Sequence, residues 1–104
     1  MTIDTAITQK ENETEIMITG ELDEQGAEQL KEAFTALLAQ APAVVKINLI
    51  GTEIMGSSAI GKILLFYKNF TVGGGRLSVI NLAPHLLELF KELKLDSLFP
   101  IVGR

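Results

Sequence analysis

Cysteine is absent from this chain of 104 residues. That excludes disulfides, thiolate nucleophiles and sulfur-rich metal sites, and it permits a reducing compartment. Histidine occurs once, as His85, and a single imidazole builds no metal site without carboxylate help. Positive charge is scarce: nine Lys and Arg stand against 13 Asp and Glu, for a formal net charge of -4. The basic residues are scattered, so no footprint for a phosphate backbone exists and no nucleic acid partner is expected. Membrane insertion is not expected either, because nothing approaches the roughly 18 consecutive apolar residues of a span. Met1-Thr2-Ile3-Asp4 lacks the basic region and apolar core of a signal peptide, so a cytoplasmic protein is expected. Repeats, low-complexity tracts and Pro/Ser linkers are missing, and residues 1–104 read as one domain.

What the chain does have is 47% apolar content, enough for one core at this length. Ile3, Thr5 and Ile7 alternate with Asp4, Ala6 and Thr8. The polar run from Gln9 to Thr14 then leads into Glu15-Ile16-Met17-Ile18-Thr19, which together predict a β-hairpin. Gly20 ends the second strand, and Asp23 suits a helix cap because its short carboxylate can accept from free first-turn amides. Ala27, Leu30, Phe34, Leu37 and Leu38 then recur at helical spacing opposite Glu24, Glu28, Lys31 and Glu32, until Pro42 closes the helix.

Val44 to Ile50 is a nearly unbroken apolar run, which predicts a strand in the middle of the sheet covered on both faces. Residues 51–56 form a turn in which Thr52 and Glu53 read as solvated. Ala59 to Phe70 carries Ile60, Ile63, Leu64, Leu65, Phe66, Tyr67 and Phe70, an arc too wide for an ordinary surface helix. Gly73-Gly74-Gly75 breaks it as a flexible turn, Arg76 to Leu82 reads as a strand, and Pro84 suits the first turn of a third helix through Leu93. His85 falls in that first turn as an exposed or half-buried residue. Leu98 to Val102 reads as a last short strand. The order β-β-α-β-α-β-α-β implies an α/β fold: a mixed sheet of four to five strands with helices packed on it.

Ser57 and Ser58 sit where a strand hands over to a helix, and in α/β proteins that edge of the sheet is where ligands and partners meet the chain. From the residues alone, the first reading of either serine is a helix cap. A hydrolase would need a nucleophile, a base and an orienting acid, and Gly56-Ser57-Ser58 lacks the Gly-x-Ser-x-Gly elbow. The triple glycine follows a helix rather than a strand and lacks the Lys-Ser or Lys-Thr of a phosphate-cradling loop. No catalytic residue, metal ligand or cofactor is assigned, and a non-enzymatic binding module is expected.

Three stretches resemble the STAS domain, the family named for sulfate transporters and anti-sigma factor antagonists, and within it the small bacterial antagonists of the sporulation and stress type. Gly20-Glu21-Leu22-Asp23 with Ala27-Glu28 and Leu30-Lys31 resembles the family's strand-to-helix segment. Ile47-Asn48-Leu49 with Gly56-Ser57-Ser58-Ala59-Ile60-Gly61 resembles its central strand and Asp-Ser-Ser-Gly-Leu-Gly signature. Gly74-Gly75, the strand after them and Pro84 through Phe90 resemble its last strand and helix.

The resemblance implies an anti-sigma factor antagonist whose partner is an anti-sigma factor that is also a serine kinase. By position Ser57 would be the phosphorylated serine, and the docking face would combine Glu21, Asp23, Gly56, Ser57, Ser58 and Ile60. Three residues depart from the pattern: Gly56 stands where the family has Asp, Ala59 where it has Gly, and Asn48 where Asp is common. Those departures keep a second reading open, a STAS accessory or scaffold subunit of a lipid-transport ATPase or signalling complex that no phosphate switches. The wide apolar face of the second helix, and a chain that stops at Gly103-Arg104 where relatives continue into another helix, lead to an expectation of self-association as a homodimer.

Overall fold

The computed structural model describes residues 3–104. Strands β1 (Ile3–Lys10) and β2 (Glu13–Gly20) form the hairpin, longer than its apolar alternation suggests. They pair in register from Ile3↔Gly20 to Lys10↔Glu13. The polar run is therefore mostly strand, and Glu11, at φ 51°, turns the chain. After β2 come α1 (Glu24–Gln40), β3 (Val44–Gly51), α2 (Ser57–Val72), β4 (Arg76–Leu82), α3 (Pro84–Glu92), a short 3-10 turn (Leu95–Ser97) and β5 (Ile101–Gly103). The region expected as a strand from Leu98 thus strands only at its end, because Pro100 has no N–H for a ladder.

The sheet is mixed and ordered β1-β2-β3-β4-β5, with β1 antiparallel to β2 and the remaining pairs parallel. β3 is the middle strand, as expected. Each crossover from β2 to β5 steps in the same direction, and right-handed crossovers then place all three helices on one face. Along that face the rows Thr14–Val45–Leu77 and Ile16–Ile47–Val79 lie in register. They are buried with Leu30, Phe34 and Leu37 of α1, Ile63, Phe66 and Phe70 of α2, and Leu86 and Phe90 of α3. Phe34 stacks on Phe66 at 4.3 Å between ring centroids and Phe66 on Phe70 at 5.2 Å, so an aromatic ladder fastens α2 to α1.

Among the described residues the other face carries no helix, which corrects the expectation for β3. Val45, Ile47 and Leu49 point to the helices, whereas Lys46, Asn48 and Ile50 alternate to the open side. Ile50 is 45% exposed. Lys46 Nζ lies 3.4 Å from Glu13 Oε2. Asn48 is buried beneath polar neighbours: its Oδ1 accepts from Asn81 Nδ2 at 3.0 Å and from the Ile50 N–H at 3.0 Å. The two polar residues inside the apolar run were the mark of a one-sided strand.

The triple glycine is less a flexible turn than a close approach. A Cβ at Gly75 would lie 2.4 Å from the Phe70 ring, so only glycine lets that ring close the end of the core. Gly74, at φ 91°, supplies the left-handed step before it. On α2, Ile60 and Ile63 are buried, Leu64 and Tyr67 half-buried, and Leu65 and Val72 exposed at 49% and 83%. No helix among the described residues is long and apolar enough to cross a membrane.

Candidate functional site

The carboxyl ends of β2 and β3 and the amino ends of α1 and α2 meet on one edge of the sheet. After Gly20 the chain passes Glu21 and Leu22 to Asp23, whose Oδ1 accepts from the Gly26 N–H at 2.8 Å and caps α1. The cap is the one read from the sequence. Leu22 turns fully into the core, and its backbone bridges the next loop in parallel with Met55. The Leu22 N–H donates to the Ile54 carbonyl and the Gly56 N–H donates to the Leu22 carbonyl, each at 2.9 Å. These two bonds bring Glu21 and Asp23 beside Gly56, so the sequence-distant parts of the expected docking face are brought together.

The turn at residues 51–56 is held from three further directions, and here the expectation of a solvated Thr52 is corrected, while that of a solvated Glu53 agrees with its exposure. Thr52 is 0% exposed, and its Oγ1 donates to the Ile18 carbonyl at 3.0 Å. A threonine inside a polar loop is unremarkable in sequence; the burial comes from β2 lying directly beneath it. Glu53 is exposed, but Arg104 Nη2 lies 2.7 Å from its Oε2. The same nitrogen donates to the Ile50 carbonyl at 2.8 Å and to that of Thr52 at 3.3 Å. His85 is exposed at the start of α3, and its Nε2 is 2.7 Å from the Glu53 carbonyl oxygen. A carbonyl oxygen only accepts, so Nε2 carries the hydrogen. Arg104 and His85 had no signal in the sequence, since both act across more than thirty residues of chain separation.

The serines behave differently. Gly56 is the N-cap of α2, with no side-chain cap bond, and Ser57 and Ser58 are the first two helical residues. The cap reading of the serines is therefore overturned: neither hydroxyl satisfies a helix amide. Both residues are exposed, and the amides that open α2 face outward with the positive end of its dipole. Ile60, by contrast, is 9% exposed and turned into the core, so its side chain is no part of the exposed patch. Gly56 adopts φ −92°, ordinary for any residue, and a Cβ there would meet nothing closer than the Leu22 carbonyl at 3.7 Å. The missing carboxylate at this position is thus a matter of chemistry rather than space. A cavity of about 390 Å³ lies at the opposite, amino-terminal end of β4, lined by Val44, Tyr67, Arg76, Leu77 and Phe99 among others.

A family model described as "Mlab, STAS domain" matches residues 5–102. The chain belongs to the STAS domain family. It is 31% identical over 104 residues to the anti-sigma-B factor antagonist of Bacillus subtilis strain 168, covering 100% of this chain and 94% of that protein. Among solved structures, it resembles an anti-sigma factor antagonist from Mycobacterium paratuberculosis with a TM-score of 0.88 at 23% identity, over 99% of this chain and 87% of that one. It also resembles the Bacillus cell fate determinant SpoIIAA in its phosphorylated form, with a TM-score of 0.74 at 22% identity, over 94% and 90% of the two chains. At these identities the structural likenesses establish the STAS fold.

Proposed function

We propose that this STAS protein is an anti-sigma factor antagonist that docks on a serine-kinase anti-sigma factor and thereby releases a sigma factor, with phosphorylation of Ser57 as the off-switch. The observation that carries the proposal is an exposed, unbonded Ser57 hydroxyl at the open amino end of α2, on a turn that the rest of the fold holds still. Full-length similarity to the Bacillus subtilis antagonist supports it. The docking face is built from Glu21 and the turn Gly56-Ser57-Ser58, with Asp23 and Ile60 supporting it from below.

Transfer of the γ-phosphoryl group of ATP to Ser57 Oγ, with loss of the hydroxyl proton, adds roughly -1.5 to -2 charges at neutral pH. The free amides of α2 accept that charge without unfolding the helix. A partner surface fitted to a neutral hydroxyl beside the Glu21 and Asp23 carboxylates faces a desolvated dianion instead, and binding weakens. The switch is one of charge on a fixed platform.

Incubation with the cognate kinase and ATP, followed by phosphate mapping by mass spectrometry, is expected to place one phosphate on Ser57. Ser57→Asp is expected to weaken kinase binding, measured by calorimetry; equal affinity for the wild type and the variant would sink the switch. Gly56 favours a second reading, a scaffold or accessory subunit of a lipid-transport ATPase or signalling complex, because the residue directly before the acceptor serine carries no carboxylate. Retained partner binding with no phosphate on Ser57 would select that reading.

A further inference from the structure

The two edges of the sheet are unequal. β5 has three residues, while β1 has eight and is the outermost strand, with every residue from Asp4 to Lys10 exposed. An open strand of that length offers unpaired N–H and C=O groups to another strand, and edges are normally guarded against this by charges that repel a second copy. β1 carries charges of opposite sign near its two ends, Asp4 and Lys10, and neither has an ion-pair partner among the described residues. Ile7, midway between them, is 45% exposed.

We propose that β1 pairs antiparallel with β1 of a second copy about a two-fold axis through Ile7, joining two sheets edge to edge. A two-fold axis requires the same surface on both partners, and side-by-side strands related by it run antiparallel. The backbone narrows the register further. Groups on alternate residues point away from β2, so residues that meet across the new edge must share parity, and the sum of their numbers is even. Of those registers, the one centred on Ile7 sets Asp4 against Lys10 of the second copy at both ends, Thr5 against Gln9, Ala6 against Thr8, and Ile7 against itself. Shifting the centre to Ala6 or Thr8 leaves Asp4 facing a threonine or the turn residue Asn12, and the charge match is lost.

Alternation along β1 assigns the faces. Ile7 lies on the helix side, in line with Ile16, so the two exposed isoleucines meet where the cores of the two copies approach. Asp4 and Lys10 lie on the open side, where the pairs stay partly solvated. There they select the register and disfavour others more than they add affinity. The association is therefore reversible and weakened by salt.

Sedimentation of the full chain from micromolar to millimolar concentration is expected to show a mass rising from monomer to dimer, with the midpoint moving to higher concentration as salt is added. Asp4→Lys and Lys10→Asp each set like charges against each other at two symmetric places, and each is expected to weaken the dimer by about tenfold or more. The doubly swapped chain is expected to recover it, which a general loss of folding would not allow. Because the chain has no cysteine, Ile7→Cys is expected to form a disulfide-linked dimer on mild oxidation while Thr5→Cys does not. A mass that stays monomeric throughout overturns the pairing. A dimer that survives both single charge reversals unchanged also overturns it and moves the contact to another surface, such as Leu65 and Val72 on α2.

Discussion

Residues 51–56 and the first turn of α2 are neighbours in sequence and are held in opposite ways. The turn is bonded from β2 through Thr52, from the segment before α1 through Leu22, from α3 through His85 and from the end of the chain through Arg104. One residue later Ser57 and Ser58 are exposed, with hydroxyls that make no hydrogen bond among the described residues. The contrast teaches where a covalent switch can be placed at little structural cost. A rigid approach fixes where the hydroxyl stands, and a free hydroxyl takes a new group without breaking an existing contact.

The contrast can be broken most severely at Thr52. Thr52→Val keeps the shape but leaves the buried Ile18 carbonyl without its donor, at an expected cost of about 1–3 kcal/mol, read from urea denaturation. Arg104→Ala removes an ion pair and two hydrogen bonds from a side chain that is 30% exposed. Solvent screening limits the loss to about 1 kcal/mol, and amide hydrogen exchange is expected to quicken at residues 51–56 while the core strands stay protected. Ser57→Ala is expected to change stability by no more than about 0.5 kcal/mol; a larger thermal shift would mean that the hydroxyl is held after all. The smallest expected effect is that of Gly56→Asp, which fits the available space and gives α2 a capping carboxylate. It is expected to add roughly a few tenths of a kcal/mol, read from denaturation midpoints.

Much of the fold was legible because the relevant forces are local. Helical spacing in α1 and α2, the alternation in β2, the Asp23 cap and the Pro84 opening of α3 each depend on residues within a few positions of one another. The reading failed where a local pattern has two solutions. The run from Val44 to Ile50 was apolar enough for a strand covered on both faces, yet Lys46 and Asn48 marked the open side. Thr52 looked like any loop residue until β2 was seen to pass beneath it.

The candidate site divides along the same line. The position of Ser57 at a strand-to-helix turn was readable, because an apolar strand followed by an apolar helix requires a turn there. That Gly56 and not a serine caps α2, that Ile60 is buried, and that Arg104 and His85 hold the turn were not readable. Those outcomes depend on contacts between segments tens of residues apart, and no short-range pattern encodes which side chains will meet across that distance. The sequence by itself determined the order of elements, the one-domain core and the location of the exposed serines, since hydrophobic periodicity and turn chemistry act within a few residues. Tertiary structure alone decided which polar residues became buried supports and which distant side chains hold the turn, because both follow from the crossovers that bring distant parts of the chain together.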